Sequence, residues 1–412
     1  MSARRPAAKR ALAIIDGEHY APVVRDALAE LPYDFVVALR AGGVEKLVGG
    51  EDYGVPLVDD LAAALAYDPE IAIDLSDEPV LSPERRMRLV SQSLALGLRY
   101  LGPDFDFEPP RFEPVGVPSI AVLGTGKRVG KTALTGQLAR LLASERDVIV
   151  VAMGRGGPPE PELVDAVPTL DSLLELSRRG RHAASDHLET AALAGVRTIG
   201  CRRCGGGLAG QVAASNVRAG ATLAESLGPD LVIFDGSGAA IPPVAADRRV
   251  LVTGWTQDVR AGLNAYRVLL ADLVVAVGIG DDQLRAIGEV KAVPVVRCRL
   301  RLQPVEPLGN GRVAVFTAGD AATDHLDADV TSVSTALADR ARLRDDLAST
   351  DADTYVMEIK AAAVDVVAEA ARERGARVVF ARNDVVALPG EPDLDAALLS
   401  LAESVVPGSV AA

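Results

Sequence analysis

The residues in this chain best suited to do chemistry are Gly130, Lys131 and Thr132, in the stretch "SIAVLGTGKRVGKTALTGQLARLL" at positions 119–142. Around them, "SIAVLG" is a short β-branched run closed by glycine, and Leu134, Leu138, Leu141 and Leu142 recur at helical spacing. The segment therefore reads strand, loop, helix. A loop at a helix N-terminus meets unpaired N–H groups and the positive end of the helix dipole, which together favour an anion. Gly124, Gly126 and Gly130 let the backbone approach phosphate oxygens, with Lys127 and Val129 completing the loop. Lys131 is then placed to reach the β- and γ-phosphates of ATP, and the Thr132 hydroxyl to ligate Mg²⁺. The loop departs from the common G-x-x-x-x-G-K-[ST] spacing. Thr125 stands where the first glycine belongs, with Gly124 one place before it and Gly126 one after.

A second Mg²⁺ ligand should end a neighbouring strand, and "PDLVIFDGSGAAIPPV" supplies Asp235 after four apolar residues, Leu231 to Phe234. A hard carboxylate there suits a hard cation, and Gly236, Ser237 and Gly238 leave room for a γ-phosphate.

The chain that must position these groups has 412 residues, enough for two or three domains, and 49% of them are hydrophobic. Its net charge of −14 disfavours general attraction to nucleic acid or to an anionic membrane. Cys201, Cys204 and Cys298 are sparse and odd in number, which fits a reducing cytoplasm. The apolar runs after "MSARRPAAKR" and in "LLADLVVAVGIG" are too short to anchor or span.

Three α/β blocks are expected. Residues 1–117 read as a small parallel α/β domain opening with "ALAIIDGEHYAPVVRDALAEL" and ending in a proline-rich linker. Residues 118–300 read as a doubly wound sheet with strands at "SIAVLG", "DVIVVAMG", "RTIGC", "LVIFDG", "RVLVTG", "LVVAVG" and "VPVVRCRL". Residues 301–412 read as a further α/β block, with a long helical run at "TYVMEIKAAAVDVVAEAARERG" that carries Lys360. Arg85, Arg86 and Arg88 are expected on a solvated helix face capped by Ser82, with Pro83 in the first turn.

The loop "GTGKRVGKT" resembles that of dethiobiotin synthetase. Four further segments, "IDGEHYAPVVRDAL", "GCRRCGGGLAG", "VIFDGSGAAIPPV" and "EIKAAAVDVV", are not needed for nucleotide binding, and with the loop they resemble the cyclic 2,3-diphosphoglycerate synthetase family over nearly the whole length. The resemblance implies an ATP- and Mg²⁺-dependent ligase, of P-loop NTPase fold flanked by smaller α/β domains. It would join the two phosphates of 2,3-diphosphoglycerate into an internal anhydride. It also implies a homodimer. A partition-type regulatory ATPase is the alternative from another class, but its signature lysine would stand where this chain has Gly126. Another dethiobiotin-synthetase-like synthetase and a phosphoglycerate kinase are alternatives among enzymes.

Bringing two polyanions together needs cations, since unit charges about 4 Å apart repel by roughly 4 kcal/mol at an effective dielectric near 20. Arg202 and Arg203, followed by Gly205 and Gly206, therefore read as a second anion cradle, with Arg155 as a further phosphate contact. The C-R-R-C spacing also matches half a zinc site, though it lacks a second CxxC. In "DGEHY", His19 reads as a hydrogen-bonding residue before a proton carrier.

Overall fold

In the computed structural model, which describes residues 8–43, 46–47, 49–360 and 363–405, the apolar runs become the strands of two sheets. The first seven residues of "MSARRPAAKR", and Ala361 and Ala362 of "EIKAAAVDVV", lie outside the described residues. The chain divides into two compact units. One comprises Met1–Pro110, Asp258–Leu270 and Arg285–Ala292, and the other Arg111–Gln257, Ala271–Leu284 and Val293–Ala412.

The first unit runs β1 (Arg10–Asp16), α1 (Ala21–Glu30), β2 (Asp34–Gly42), β3 (Leu57–Val58), α2 (Leu61–Leu65), β4 (Ile71–Asp74), α3 (Pro83–Ala95), β5 (Arg99–Leu101) and β6 (Asp106–Phe107). Its sheet order is β3-β2-β1-β4-β5-β6, parallel except for the β5–β6 pair. This is the expected parallel α/β arrangement. Helix α3 starts as its sequence requires, with Ser82 Oγ accepting the Arg85 N–H at 3.4 Å and Pro83 in the first turn. Of its arginines, Arg85 and Arg88 are exposed, as expected of a solvated face, but Arg86 is not. Arg86 is largely buried, pairing with Asp74 at 2.9 Å and Glu78 at 2.7 Å, while Arg85 donates to the Ala41 carbonyl and Arg88 to that of Glu289. Asp74, buried at the end of β4, needs a cation partner, and α3 delivers one.

The second unit holds a 13-stranded sheet among the described residues. In chain order its strands are β7 (Ser119–Gly124), β8 (Val148–Gly154), β9 (Glu162–Val164), β10 (Arg197–Cys204), β11 (Ala214–Ser215), β12 (Leu231–Asp235), β13 (Arg248–Gly254), β14 (Leu273–Val277), β15 (Val295–Pro304), β16 (Arg312–Phe316), β17 (Asp329–Ser334), β18 (Thr354–Glu358) and β19 (Arg377–Ala387). They lie in the order β11-β10-β8-β12-β7-β13-β14-β15-β19-β18-β16-β17, with β9 beside β10. The seven expected strands of the middle block all form, and β10 through β15 by way of β7 are parallel. The chain then turns back, and β15 pairs antiparallel with β19, so the last strands continue the same sheet.

Val148 and Val150 of β8 share a core with Leu134 and Leu138 of α4 (Lys131–Ala143), whereas Val151 lies against Gly220 of the helix Val217–Ser226. Successive strand residues point to opposite faces, so helices cover both sides, as in a doubly wound fold. The expected helical run at 354–375 does not form as one element. Its first five residues are β18, buried between β16 and β19, and a helix forms only over Val364–Arg374. A continuous apolar run does not distinguish a buried strand from a buried helix, and here pairing on both edges decides for the strand. Lys360 consequently lies in the connection after β18 rather than in a helix.

Candidate active site

The site is built at the carboxyl ends of β7, β12, β8 and β10. Gly130 takes φ 98° and ψ 11°, a left-handed conformation suited to glycine, immediately before Lys131 opens α4. A Cβ on Gly124 would stand 2.6 Å from Lys131 Cδ and 3.1 Å from the Gly238 carbonyl oxygen, so the lysine stem lies directly over that glycine. Lys131 is buried, and its Nζ donates to the Gly126 carbonyl at 2.9 Å. Burial pulls its pKa down, opposed by Asp235 and Asp186. Val129 is buried against Gly254, Thr132 is half-buried in the first helical turn, and Lys127 is exposed.

Asp235 ends β12 almost wholly buried, and its Oδ1 has no hydrogen-bond partner among the described residues. Burial, reinforced by Asp186, pushes its carboxyl up to about 7 against the pull of Lys131. A buried carboxylate oxygen left unpaired beside a phosphate-binding loop has the chemistry of a hard-cation ligand.

Around Gly238, which has φ +62°, two guanidinium groups and the stem of Lys127 converge. A Cβ there would lie 3.5 Å from Arg203 Nη2, 3.7 Å from Arg155 Nη2 and 3.8 Å from Lys127 Cγ. Arg203 Nη2 donates to the Ser237 carbonyl at 2.8 Å and Nη1 to that of Gly205 at 2.8 Å, fixing the fork. Burial and Arg155 lower its pKa. Gly206 is exposed beside Arg203, Cβ to Nη1 being 3.3 Å. The structure does not bring Arg202 to this group. Its side chain is exposed, and its N–H donates to Asn216 Oδ1 at 2.7 Å. Adjacent strand residues point opposite ways, so one arginine of the pair turns inward.

The same alternation separates the two cysteines of C-R-R-C. Cys201 is buried against Gly220, with its thiol pushed up to about 12 by burial, and Cys204 is exposed. His187 is buried in the helix Asp186–Ala194, while His182 precedes that helix. His19, in the first unit, holds Asp16 at 2.7 Å through Nδ1 and lies 3.5 Å from Asp77 through Nε2.

Sequence reasoning singled out Lys360 but missed three acids that the fold gathers about it, Asp186, Glu189 and Glu358. Asp186 opens its helix, with Oδ2 3.4 Å from the Cβ position of Gly154, and burial raises its pKa against Lys131 and Arg155. Glu189, one turn later, is buried and pushed up to about 8. Glu358 ends β18 as Asp235 ends β12, accepting the Ala318 N–H at 2.7 Å and lying 3.2 Å from Lys360 Nζ. Burial lowers Lys360, but Glu189 and Glu358 outweigh it and hold the ammonium above its ordinary value. The available signal was an acid closing an apolar strand, hidden in "TYVME" by the helical reading.

Family models describe the whole arrangement. The N-terminal domain of cyclic 2,3-diphosphoglycerate synthetase matches residues 10–108, its P-loop domain residues 119–296 and its C-terminal domain residues 304–384. The cyclic 2,3-diphosphoglycerate synthetase of Rubrobacter xylanophilus is 46% identical, covering 96% of this chain and 97% of its own. The chain belongs to the cyclic 2,3-diphosphoglycerate synthetase family. The family member of Thermococcus kodakarensis is 40% identical over 95% of this chain and 98% of its own, and that of Pyrococcus horikoshii 39% over 90% and 91%. Among solved structures, the ATP complex of LpxK from Aquifex aeolicus covers 78% of this chain and 95% of its own at 14% identity, with a TM-score of 0.44, too distant a likeness to carry an argument. The P-loop domain makes this member of the family a nucleotide-binding chain. Among the described residues no helix is long and apolar enough to cross a membrane.

Proposed function

We propose that this chain closes 2,3-diphosphoglycerate into its internal phosphoanhydride at the expense of ATP, releasing ADP and orthophosphate. The observation that carries this reading is the convergence of the Arg203 and Arg155 guanidinium groups on Gly238, beside the Lys131 loop and the stem of Lys127. A nucleotide alone needs the loop; a second polyanion needs the added cations. Transfer of a phosphoryl group to one substrate phosphate makes it a diphosphate. An oxygen of the neighbouring phosphate then attacks the substrate-bound phosphorus, forming the ring P–O–P bond and expelling orthophosphate.

Phosphates are nucleophilic anions at neutral pH, so positioning and charge neutralisation carry the catalysis. Lys131 and the N–H groups of the loop and first turn hold the nucleotide phosphates. Arg155 and Arg203 hold those of the substrate, with Gly205 and Gly206 leaving space for them. Thr132 and Asp235 would hold Mg²⁺, which would supply positive charge between the phosphates.

The three sequence blocks would act as domains at 1–117, 118–300 and 301–412 in a cytoplasmic homodimer. Phosphorus NMR of the purified protein with ATP, MgCl₂ and 2,3-diphosphoglycerate should show a cyclic product with one ADP per ring. ATP hydrolysis indifferent to 2,3-diphosphoglycerate would overturn the proposal.

A further inference from the structure

We infer that Trp255 is the platform on which the purine base of the nucleotide stacks. It is the only tryptophan of the chain and follows β13 with 77% of its surface exposed, although so large an aromatic normally finds cover. Strand β13 pairs directly with the loop strand β7, Val252 opposite Gly124, and the Thr125 N–H donates to the Val252 carbonyl at 3.2 Å. On the other side of β13, the turn after β14 brings Gly278 close, its Cβ position 3.5 Å from Trp255 Cδ1. The ring thus stands at the carboxyl edge of the sheet, between the phosphate loop and the end of β14.

The direction of the nucleotide follows from the charges. Asp235, Arg155 and Arg203 belong to β12, β8 and β10 or the turns after them, all on one flank of β7. A nucleotide whose terminal phosphate meets those groups over Lys131 must send its nucleoside across β7 to the other flank, where Trp255 lies. Gln257 packs against Gly126 on that flank, and its buried Oε1, with no partner among the described residues, adds an unfilled acceptor. Base–aromatic stacking is sequence-tolerant and favours a large π-face, which a purine supplies.

The inference rests on nucleotide binding at the loop, and tripolyphosphate separates the two claims because it has the phosphates and no base. By calorimetry, Trp255→Ala should bind ADP about tenfold to a hundredfold more weakly than the wild type and tripolyphosphate equally well, while Trp255→Phe recovers most of the ADP affinity. In the wild type, ADP should quench the single tryptophan more strongly than tripolyphosphate does. Equal ADP affinity in Trp255→Ala and wild type overturns the inference and leaves the loop reading standing. So does an equal loss for ADP and tripolyphosphate, which would make the residue merely structural. Binding of neither probe by the wild type overturns both.

Discussion

Lys131, Arg203 and Glu189 carry the sharpest expectations at the level of single residues. Lys131→Ala removes the cation that lies over Gly124 and should lower ATP turnover at least about a hundredfold, given the several kcal/mol such groups contribute to charge stabilisation, with the circular-dichroism spectrum unchanged. Arg203→Ala should raise the 2,3-diphosphoglycerate requirement roughly tenfold to a hundredfold, the cost of one charge-assisted hydrogen bond, and barely alter ATP affinity. Arg202→Ala, acting on an exposed side chain, should do much less, and steady-state kinetics of the two variants side by side decide the matter. Glu189 titrates near 8 when folded against an ordinary value of 4.5, so between those pH values the native state keeps a proton that the unfolded chain has lost. Its contribution therefore makes the protein less stable as pH rises through that window and levels off above it. Glu189→Gln lacks the proton exchange, so urea denaturation should show the variant gaining on the wild type by roughly 1–4 kcal/mol from about pH 5 to about pH 9. A difference between the two proteins that stays constant with pH would mean that Glu189 is charged in the fold.

Among elements, β10 and β8 pack closely against the helix Val217–Ser226. A Cβ on Gly220 would come 2.3 Å from Cys201 Sγ and 3.3 Å from Val151 Cγ1, so the helix sits at a distance only glycine permits. Gly220→Ala should cost about 1–3 kcal/mol of stability, as overpacked cores do, and a Cys201→Ala change in the same chain should recover part of it. Thermal or chemical melting of the two single variants and the double variant measures that coupling. Cys201 is thus a packing residue at the back of the site. The elements of the loop itself were legible because strand, glycines and helix are contiguous. The strand at 354–358 was not, because its identity depends on β16 and β19, which come from elsewhere in the chain.

For the whole molecule, the net charge of −14 contrasts with the cationic cluster at the site. An acidic protein that binds two polyanions must concentrate its positive charge, and Lys127, Lys131, Arg155 and Arg203 are drawn from three separate stretches of chain to do so. Weakening ATP and substrate binding with added salt should be modest for groups as buried as Lys131 and larger for exposed ones such as Arg155, because bulk ions screen exposed charges first. The proposed homodimer has a direct measure in sedimentation equilibrium. A single species of twice the 42.9 kDa chain mass is expected, and monomer alone at working concentrations would remove the proposal.

The sequence by itself determined what is local. The strand–loop–helix around Lys131, the acid closing β12 and the alternation of strands and helices all follow from side chains a few positions apart, whose spacing sets backbone conformation directly. The segments that resemble the family were equally legible, since they are read as words in the chain. Tertiary structure decided the rest. It turned Arg203 inward and Arg202 outward, brought Glu189 and Lys360 together across 171 positions, and set Trp255 beside the phosphate loop. Those outcomes depend on strand order and on which buried charges can find partners, and both are properties of the assembled sheet that no short window of residues contains.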